Sequence, residues 1–462
     1  MDDSKEQPSN QIKPSKKYEV LQLLERNPTL KKEALGNILD SSRTTVSRVI
    51  SSMEKDGIII KEDSSVNREF GYAVGIAVGT RHIRTVVLNM AYEPLSRSML
   101  SERHIFSNSL KEMQFNTNSI CPDKDTILFD LECDLPKDDK IEQKNYSYED
   151  HRTLSEIARL LNIIIADAID MKMGTETSDA FNLIGIGISF QGSVNKDRMS
   201  IDFSPNLNVL TGKRVQQLIY KTQWNLIQEL GVAIVVDSTV KSALIAEREE
   251  LYKTPDLQKY QLRDKPNIGL VYMGTGISFA TTFDGKIARG ASNYLGELGH
   301  IRFPRFGELG NNVPIECSCK KSNCLEALLR KDVFDADSLS DYWAKTTHAQ
   351  LENFSIKHPE KYKELKRYVG YIMHLLVDML NLDVLLFTGR IFACIPDLEN
   401  ELDTIIGENT KIITCGDCIA TKGADWENSA SRGIAIEAIA SAFESEITWP
   451  DIDSRSRKES ES

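Results

Sequence analysis

An α/β body behind an N-terminal winged helix-turn-helix is the fold class this sequence predicts, and three observations predict it. Residues 16 to 70 read as helix, helix, short turn, helix and hairpin. From Gly71 onward, apolar β-rich runs alternate with amphipathic helical stretches. Between residues 296 and 324, Gly296-Glu297-Leu298-Gly299-His300 precedes Cys317-Ser318-Cys319 and Cys324, a compact set of one imidazole and three thiols.

The head is legible residue by residue. Tyr18, Val20, Leu21, Leu23 and Leu24 have helical spacing, closed by Asn27-Pro28. A second helix runs from about Leu30 to Leu39, with Leu30, Ala34, Leu35 and Ile38 on one face. Asp40-Ser41-Ser42 offers caps for a third, whose inner face is Val46, Val49, Ile50 and Met53 and which stops at Asp56-Gly57. Ile58 to Lys61 is a short β run, and residues 62–67 form a polar turn. Opposite the apolar face, the third helix carries Arg43, Thr44, Thr45, Ser47 and Arg48. Guanidinium groups and hydroxyls suit phosphates and base edges, and the first turn is the part that reaches a groove, so operator DNA is the expected partner.

In the body, Tyr72 to Val78 and Ile83 to Leu88 read as strands turning at Gly79-Thr80. Residues 107–150 are polar and aperiodic and are expected to be an inserted loop. Ser155 to Met171 follows as an amphipathic helix, Ile184 to Phe190 as a buried strand, and Val232 to Val236 as a strand feeding a helix from about Val240 to Glu250. Ile268 to Thr282 is strand, turn, strand around Gly274-Thr275-Gly276. Residues 331–376 are helical and charged, Val384 to Thr388 is a strand, and Ser431 to Phe443 is a last helix. The two strand pairs at 72–88 and 268–282 suggest two similar halves. The expected division is a disordered tail at 1–15, a DNA-binding domain at 16–70, the body at 71–445, and a second disordered tail at 446–462.

Composition sets the class. A chain of 462 residues, 41% hydrophobic and 27% charged, suits two or three globular domains. No apolar run reaches the ~18 residues that span a bilayer, and Met1 to Ser15 lacks a signal-like apolar core, so no membrane and a cytoplasmic location are expected. Eight cysteines do not make a disulfide scaffold in a chain this long, and thiolate ligands suit a reducing compartment. Residues 1–70 hold 12 Lys and Arg against 12 Asp and Glu, so residues 71–462 hold 44 against 56 and carry the whole net charge of −12. A neutral head on an acidic body leaves nucleic-acid contact to one end.

His300, Cys317, Cys319 and Cys324 make a complete tetrahedral set for zinc with no position left for water, which is a structural site. Gly274-Thr275-Gly276 can present backbone N–H groups to a phosphate, although such turns are common. Glu297 and Glu326 flank the metal ligands, and carboxylates beside a zinc-bound imidazole can accept from vicinal hydroxyls. Cys415-Gly416-Asp417-Cys418 has redox spacing without a second pair, and structural thiols are the expectation there.

Gly296-Glu297-Leu298-Gly299-His300 with Cys317-Ser318-Cys319-x4-Cys324-Leu325-Glu326 resembles the ROK family of sugar kinases and repressors. Gly185-Ile186-Gly187-Ile188, Ser204-Pro205-Asn206-Leu207, Met273-Gly274-Thr275-Gly276-Ile277, Asp284-Gly285-Lys286 and Arg289-Gly290-Ala291 fall in the family's order, over about residues 71–445. The resemblance implies a two-lobed, actin-like (ribonuclease H-like) sugar-kinase fold with the sugar between the lobes. Asn206, Glu297, His300 and Glu326 match sugar-contacting positions, His300 serving zinc as well. The head looks like that of the family's repressors of the xylose and N-acetylglucosamine type.

Three departures qualify the resemblance. The loop between His300 and Cys317 is longer than the family pattern. Ala77 stands where an aspartate opens the first phosphate turn. Asp237-Ser238-Thr239-Val240 replaces Asn-Asp-Ala-Asn, putting Ser238 at the general base and Val240 at the second asparagine, with Asp237 one residue out of register. Phosphoryl transfer needs a carboxylate to take the hydroxyl proton, which serine does not do at neutral pH. The expectation is therefore a repressor of sugar-utilisation genes that senses a sugar or sugar phosphate as a homodimer or homotetramer. An ATP-dependent sugar kinase with an appended DNA-binding head is the alternative.

Overall fold

The computed structural model describes residues 16–27, 29–80, 82–95, 110–114, 148–173, 182–253, 265–305, 314–395, 411–414 and 428–444. Helices α1 (Lys16–Arg26), α2 (Lys32–Ile38) and α3 (Arg43–Lys55) build the head. α3 starts at Arg43 because the Ser42 hydroxyl accepts the Thr45 backbone N–H at 3.1 Å. Val46, Ile50 and Met53 then close on Leu21, Leu24 and Leu35. The hairpin is shorter than its sequence suggests: a single bridge, Ile59 to Val66, joins its arms. Its tip is an Asx turn in which the Ser65 N–H donates to Asp63 Oδ1 at 2.9 Å.

The body holds two five-stranded sheets. β1 (Gly71–Val78), β2 (His82–Asn89), β3 (Leu110–Gln114), β4 (Asn182–Phe190) and, beyond a small sheet of β5 (Ser193–Asn195), β6 (Ser200–Phe203) and β7 (Lys213–Arg214), β8 (Ala233–Ser238) form the first, in the order β3-β2-β1-β4-β8. β9 (Ile268–Met273), β10 (Ile277–Phe283), β11 (Lys286–Ile287), β12 (Val384–Thr388) and β13 (Lys411–Thr414) form the second, in the order β11-β10-β9-β12-β13. In each sheet the first three strands pair antiparallel and the last two add parallel neighbours. One topology is used twice.

β3 corrects the expectation for residues 107–150. Leu110 to Gln114 pairs with Val86 to His82 as a sheet edge, and the helix α4 (Tyr148–Met173) begins before the stretch ends. The rest of that stretch, with Cys121 and Cys133, lies outside the described residues, as do both expected tails and Cys415 to Cys418.

α4 lays Ile157, Leu161, Ile164, Ile165 and Ala168 on one face of the first sheet. Against the other face run α5 (Thr239–Lys253) and α7 (Ser429–Glu444), with α6 (Pro359–Leu380) covering the second sheet. The Gly185-Ile186-Gly187-Ile188 motif serves this packing. A Cβ at Gly187 would collide with the Ile434 carbonyl of α7, and one at Gly433 with the Ser242 carbonyl of α5. α5 also packs Val240, Leu244 and Leu251 against Ile268, Leu270 and Leu386 of the second sheet. Ile434, Ala438, Ile439 and Phe443 of α7 share a continuous core with Tyr18, Leu21 and Leu24 of the head. Head and body are thus one packed unit.

Candidate functional site

Backbone geometry gathers the predicted metal ligands. Gly296 adopts φ +103° with its carbonyl accepting the Phe279 N–H at 2.8 Å, a position where a Cβ would strike the Phe279 carbonyl. That turn delivers Leu298–His300 as a short 3-10 segment. The Cys317-to-Lys320 turn closes with the Lys320 N–H donating to the Cys317 carbonyl at 2.9 Å. The Arg302–Cys324 bridge then brings the two segments side by side.

The four ligand atoms lie within 4.8 Å of one another. Cys317 Sγ is 3.4 Å from His300 Nδ1, and Cys319 Sγ is 3.5 Å from Cys324 Sγ. Thiolates sharing a zinc at about 2.3 Å stand roughly 3.8 Å apart, whereas disulfide sulfurs are only about 2.05 Å apart. The spacing fits a cation between the sulfurs. Burial, with Lys321 nearby, pushes the His300 pKa down to about 4, so the ring is in its neutral, ligating form. Burial likewise raises the Cys324 thiol.

The sugar-site candidates come together from both lobes. Glu326 follows Cys324 at the start of a helical turn, and its Oε2 accepts the Ile277 N–H at 3.1 Å. Asn206, on the loop after β6, also hydrogen-bonds Glu326. A Cβ on Gly276 would lie 3.0 Å from Asn206 Nδ2 and 3.2 Å from Glu326 Oε2, so the bare glycine lets them meet. Burial, aided by Glu297, lifts the Glu326 pKa to about 7. Glu297 is itself raised by burial and opposed by Lys241. His300 turns Nδ1 toward Cys317 and stands edge-on to Phe203, at 6.1 Å between ring centroids.

The glycine turn is partly engaged already. The Gly274 N–H donates to the Gly276 carbonyl at 2.9 Å, and the Gly274 carbonyl accepts Trp343 Nε1 at 2.9 Å. Tyr272 fills the space where a Gly274 side chain would lie. Thr275 lies between them.

Ala77, Ser189 and Asp237 are level across β1, β4 and β8. Asp237 is fully buried and gripped by Arg289, Nη1 to Oδ1 at 2.7 Å and Nη2 to Oδ2 at 2.6 Å. Burial alone would raise this carboxyl, but Arg289 and then Lys241 outweigh it and hold its pKa below the usual value. Arg289 also reaches Glu437 on α7 at 3.3 Å, and Lys196 bonds the same carboxylate at 2.6 Å. Ser238 ends β8, and Val240 is buried in the first turn of α5. Lys241 and Glu437 escaped the sequence reading. The available signal was a lone charge within an apolar helical run, Val240 to Leu244 and Ile434 to Ile439.

On the head, Arg43, Thr44, Thr45 and Arg48 are exposed and Ser47 is half-exposed. Arg43 pairs with Glu33 at 2.7 Å, and the Thr45 hydroxyl lies 2.9 Å from that of Ser42.

Comparison with known proteins places these features. The model of the ROK family matches residues 132–411, and that of the MarR family matches residues 14–68. An N-acetyl-D-glucosamine kinase of Vibrio parahaemolyticus is 30% identical over 115 residues, which is 23% of this chain and 38% of that enzyme. The same enzyme of Erwinia tasmaniensis is 26% identical over 207 residues, covering 41% of this chain and 61% of its own. The chain thus spans less than two thirds of the length of these curated relatives. A crystal structure of a ROK family transcriptional regulator, a homologue of the E. coli MLC protein, superposes with a TM-score of 0.59 at 12% identity. It covers 93% of this chain and 96% of its own, a likeness of fold that includes the head.

Proposed function

The chain belongs to the ROK family, and on that premise we propose that it is a DNA-binding transcriptional regulator, a repressor of sugar-utilisation genes, whose kinase-like body senses a sugar without phosphorylating it. The observation that carries the reading is the shared core of head and body, in which α1 packs on the helices that border the inter-lobe site. A ligand that changes how the lobes meet changes the pose of α3.

Arg43, Thr44, Thr45, Ser47 and Arg48 are the DNA-facing residues. Asn206, Glu297, His300 and Glu326 hold the sugar hydroxyls. His300, Cys317, Cys319 and Cys324 hold a structural zinc, which supplies no chemistry beyond fixing the Glu297-to-Glu326 frame. Two winged helices in a homodimer or homotetramer match a palindromic operator, and the setting is cytoplasmic. No described helix is long and apolar enough to cross a membrane.

Loss of turnover is supported by Asp237. Its carboxylate, beside the position of a catalytic base, is buried and ion-paired with Arg289, which holds its pKa down and weakens it as a proton acceptor. Gly274-Thr275-Gly276, with one N–H engaged, is a vestigial phosphate loop. The test is anisotropy of labelled promoter DNA with and without sugars, alongside an ATP-dependent phosphorylation assay. Specific DNA binding that a sugar alters, without turnover, is expected. Turnover at ordinary kinase rates, lost in Asp237→Ala, overturns it in favour of a sugar kinase with a DNA-binding head.

A further inference from the structure

We propose that the inter-lobe site takes a neutral disaccharide, with one ring among Asn206, Glu297, His300 and Glu326 and the second stacked at the mouth on Phe203 and Tyr294. The inference rests on the sugar-sensing reading above and names its ligand class.

Two chain segments meet here with the same layout. β6 ends at Phe203, and Asn206 follows three residues later. Tyr294 precedes Glu297 by three residues, and Glu297 precedes His300 by three. Two successive turns make this second spacing: the Glu297 N–H donates to the Tyr294 carbonyl at 3.4 Å, and the His300 N–H to the Glu297 carbonyl at 3.1 Å. The rings of the two segments then join. Phe203 lies 6.1 Å from His300 between centroids, edge-on at 74°, and 6.1 Å from Tyr294, tilted at 35°. Contact on both sides makes Phe203 the middle of a three-ring wall. Exposure rises along that wall, from 8% at His300 through the half-buried Phe203 to 44% at Tyr294.

A single exposed tyrosine is ordinary. This one continues the wall of the proposed sugar site out to solvent. The flat face of a pyranose carries polarised C–H bonds, which the negative face of an aromatic ring attracts. Asn206, Glu297, His300 and Glu326 suffice for the hydroxyls of one ring, and Phe203 with Tyr294 offers the next ring a surface. Phe203 is braced from behind: Gly192, at φ +95°, approaches so closely that a Cβ there would strike the Phe203 carbonyl. The polar groups at this end are acceptors. After burial, the groups that raise the Tyr294 hydroxyl are the carboxylates Asp202 and Glu297. The Ser200 hydroxyl holds Asp202 in place, donating to its Oδ1 at 2.7 Å. Carboxylates accept from sugar hydroxyls and repel a phosphate or a uronate, so this rim favours a second neutral sugar over an anionic substituent.

The test is calorimetric titration of the full-length protein with matched series: glucose with maltose and cellobiose, N-acetylglucosamine with its β-linked dimer, and xylose with its β-linked dimer. The methyl glycoside of each monosaccharide serves as control for the glycosidic bond itself. In at least one series a disaccharide is expected to bind about tenfold or more tighter than the monosaccharide and its methyl glycoside. Tyr294→Ala and Phe203→Leu should each remove most of that advantage, whereas Tyr294→Phe should keep it, with thermal melts verifying that each variant folds. Monosaccharides binding as tightly as disaccharides in every series, or an advantage that survives both Tyr294→Ala and Phe203→Leu, overturns the inference and leaves sugar sensing intact. If no sugar of any series binds a protein that still binds promoter DNA, the sensing reading falls with it.

Discussion

Arg26 at the end of α1 forks onto Glu249 near the end of α5, Nε to Oε2 at 3.0 Å and Nη2 to Oε1 at 2.9 Å. The same guanidinium stacks 3.9 Å from the centre of the Tyr252 ring, and Glu25 pairs with Lys253 at 3.0 Å. α5 therefore starts beside Asp237, carries Lys241 in its first turn, and packs its far end on the head. A rigid helix joined at both ends is a physical route by which occupancy of the site reaches α3.

Arg26→Ala should lower stability by about 2 kcal/mol, because Glu249 is buried and keeps only Arg248 as a close cation. More telling, it should reduce the effect of ligand on DNA affinity while each binding event persists. Chemical denaturation and DNA anisotropy with and without ligand read the two outcomes. Undiminished coupling would exclude this contact from the route.

The same junction has a pH signature. Burial would raise Glu249, but Arg248 and Arg26 outweigh it and hold its pKa below the ordinary glutamate value. A depressed carboxylate adds stability that is complete above the unfolded pKa, about 4.5, and is lost as pH falls toward the folded value. The stability difference between wild type and Arg26→Ala should therefore shrink as pH is lowered below about 4.5. A difference that grows with acid would contradict the ion pair.

Arg48→Ala should weaken DNA binding and leave ligand binding unchanged, since Arg48 is exposed on α3 far in sequence from the inter-lobe residues. The salt slope of DNA affinity should fall by roughly one unit if Arg48 meets a phosphate. Loss of both activities would show that the side chain supports the fold instead.

Cys319→Ser, or a strong chelator, should release a stoichiometric metal and lower the melting temperature, because the cysteine cluster fixes the frame that carries Glu297 and Glu326. Elemental analysis of the untreated protein checks the premise. A folded protein without zinc would contradict the site.

Local signals made the head and the His/Cys cluster legible. Ser42 capping α3 and the Val46-Ile50-Met53 stripe are set within one helix, and the four clustered His and Cys residues span only residues 300–324. β3 was not legible, because its five residues include Lys111, Glu112 and Gln114 and its pairing with β2 is a tertiary contact. Nor was the Asp237–Arg289–Glu437 network. Its members are 52 and 148 residues apart, and only sheet register and the close approach of α7 bring them together. The sequence reading of Asp237-Ser238-Thr239-Val240 set Asp237 one residue out of register, while its partners Arg289 and Lys241 became visible only in the fold.

The most direct measurement is the affinity of the full-length protein for its own promoter DNA, against a random duplex, with and without saturating sugar. The account predicts a clear preference for the promoter and at least a fivefold change in that affinity when a sugar ligand binds, in line with ordinary coupling free energies. Equal binding to both duplexes, or promoter affinity that no bound sugar alters, would contradict it.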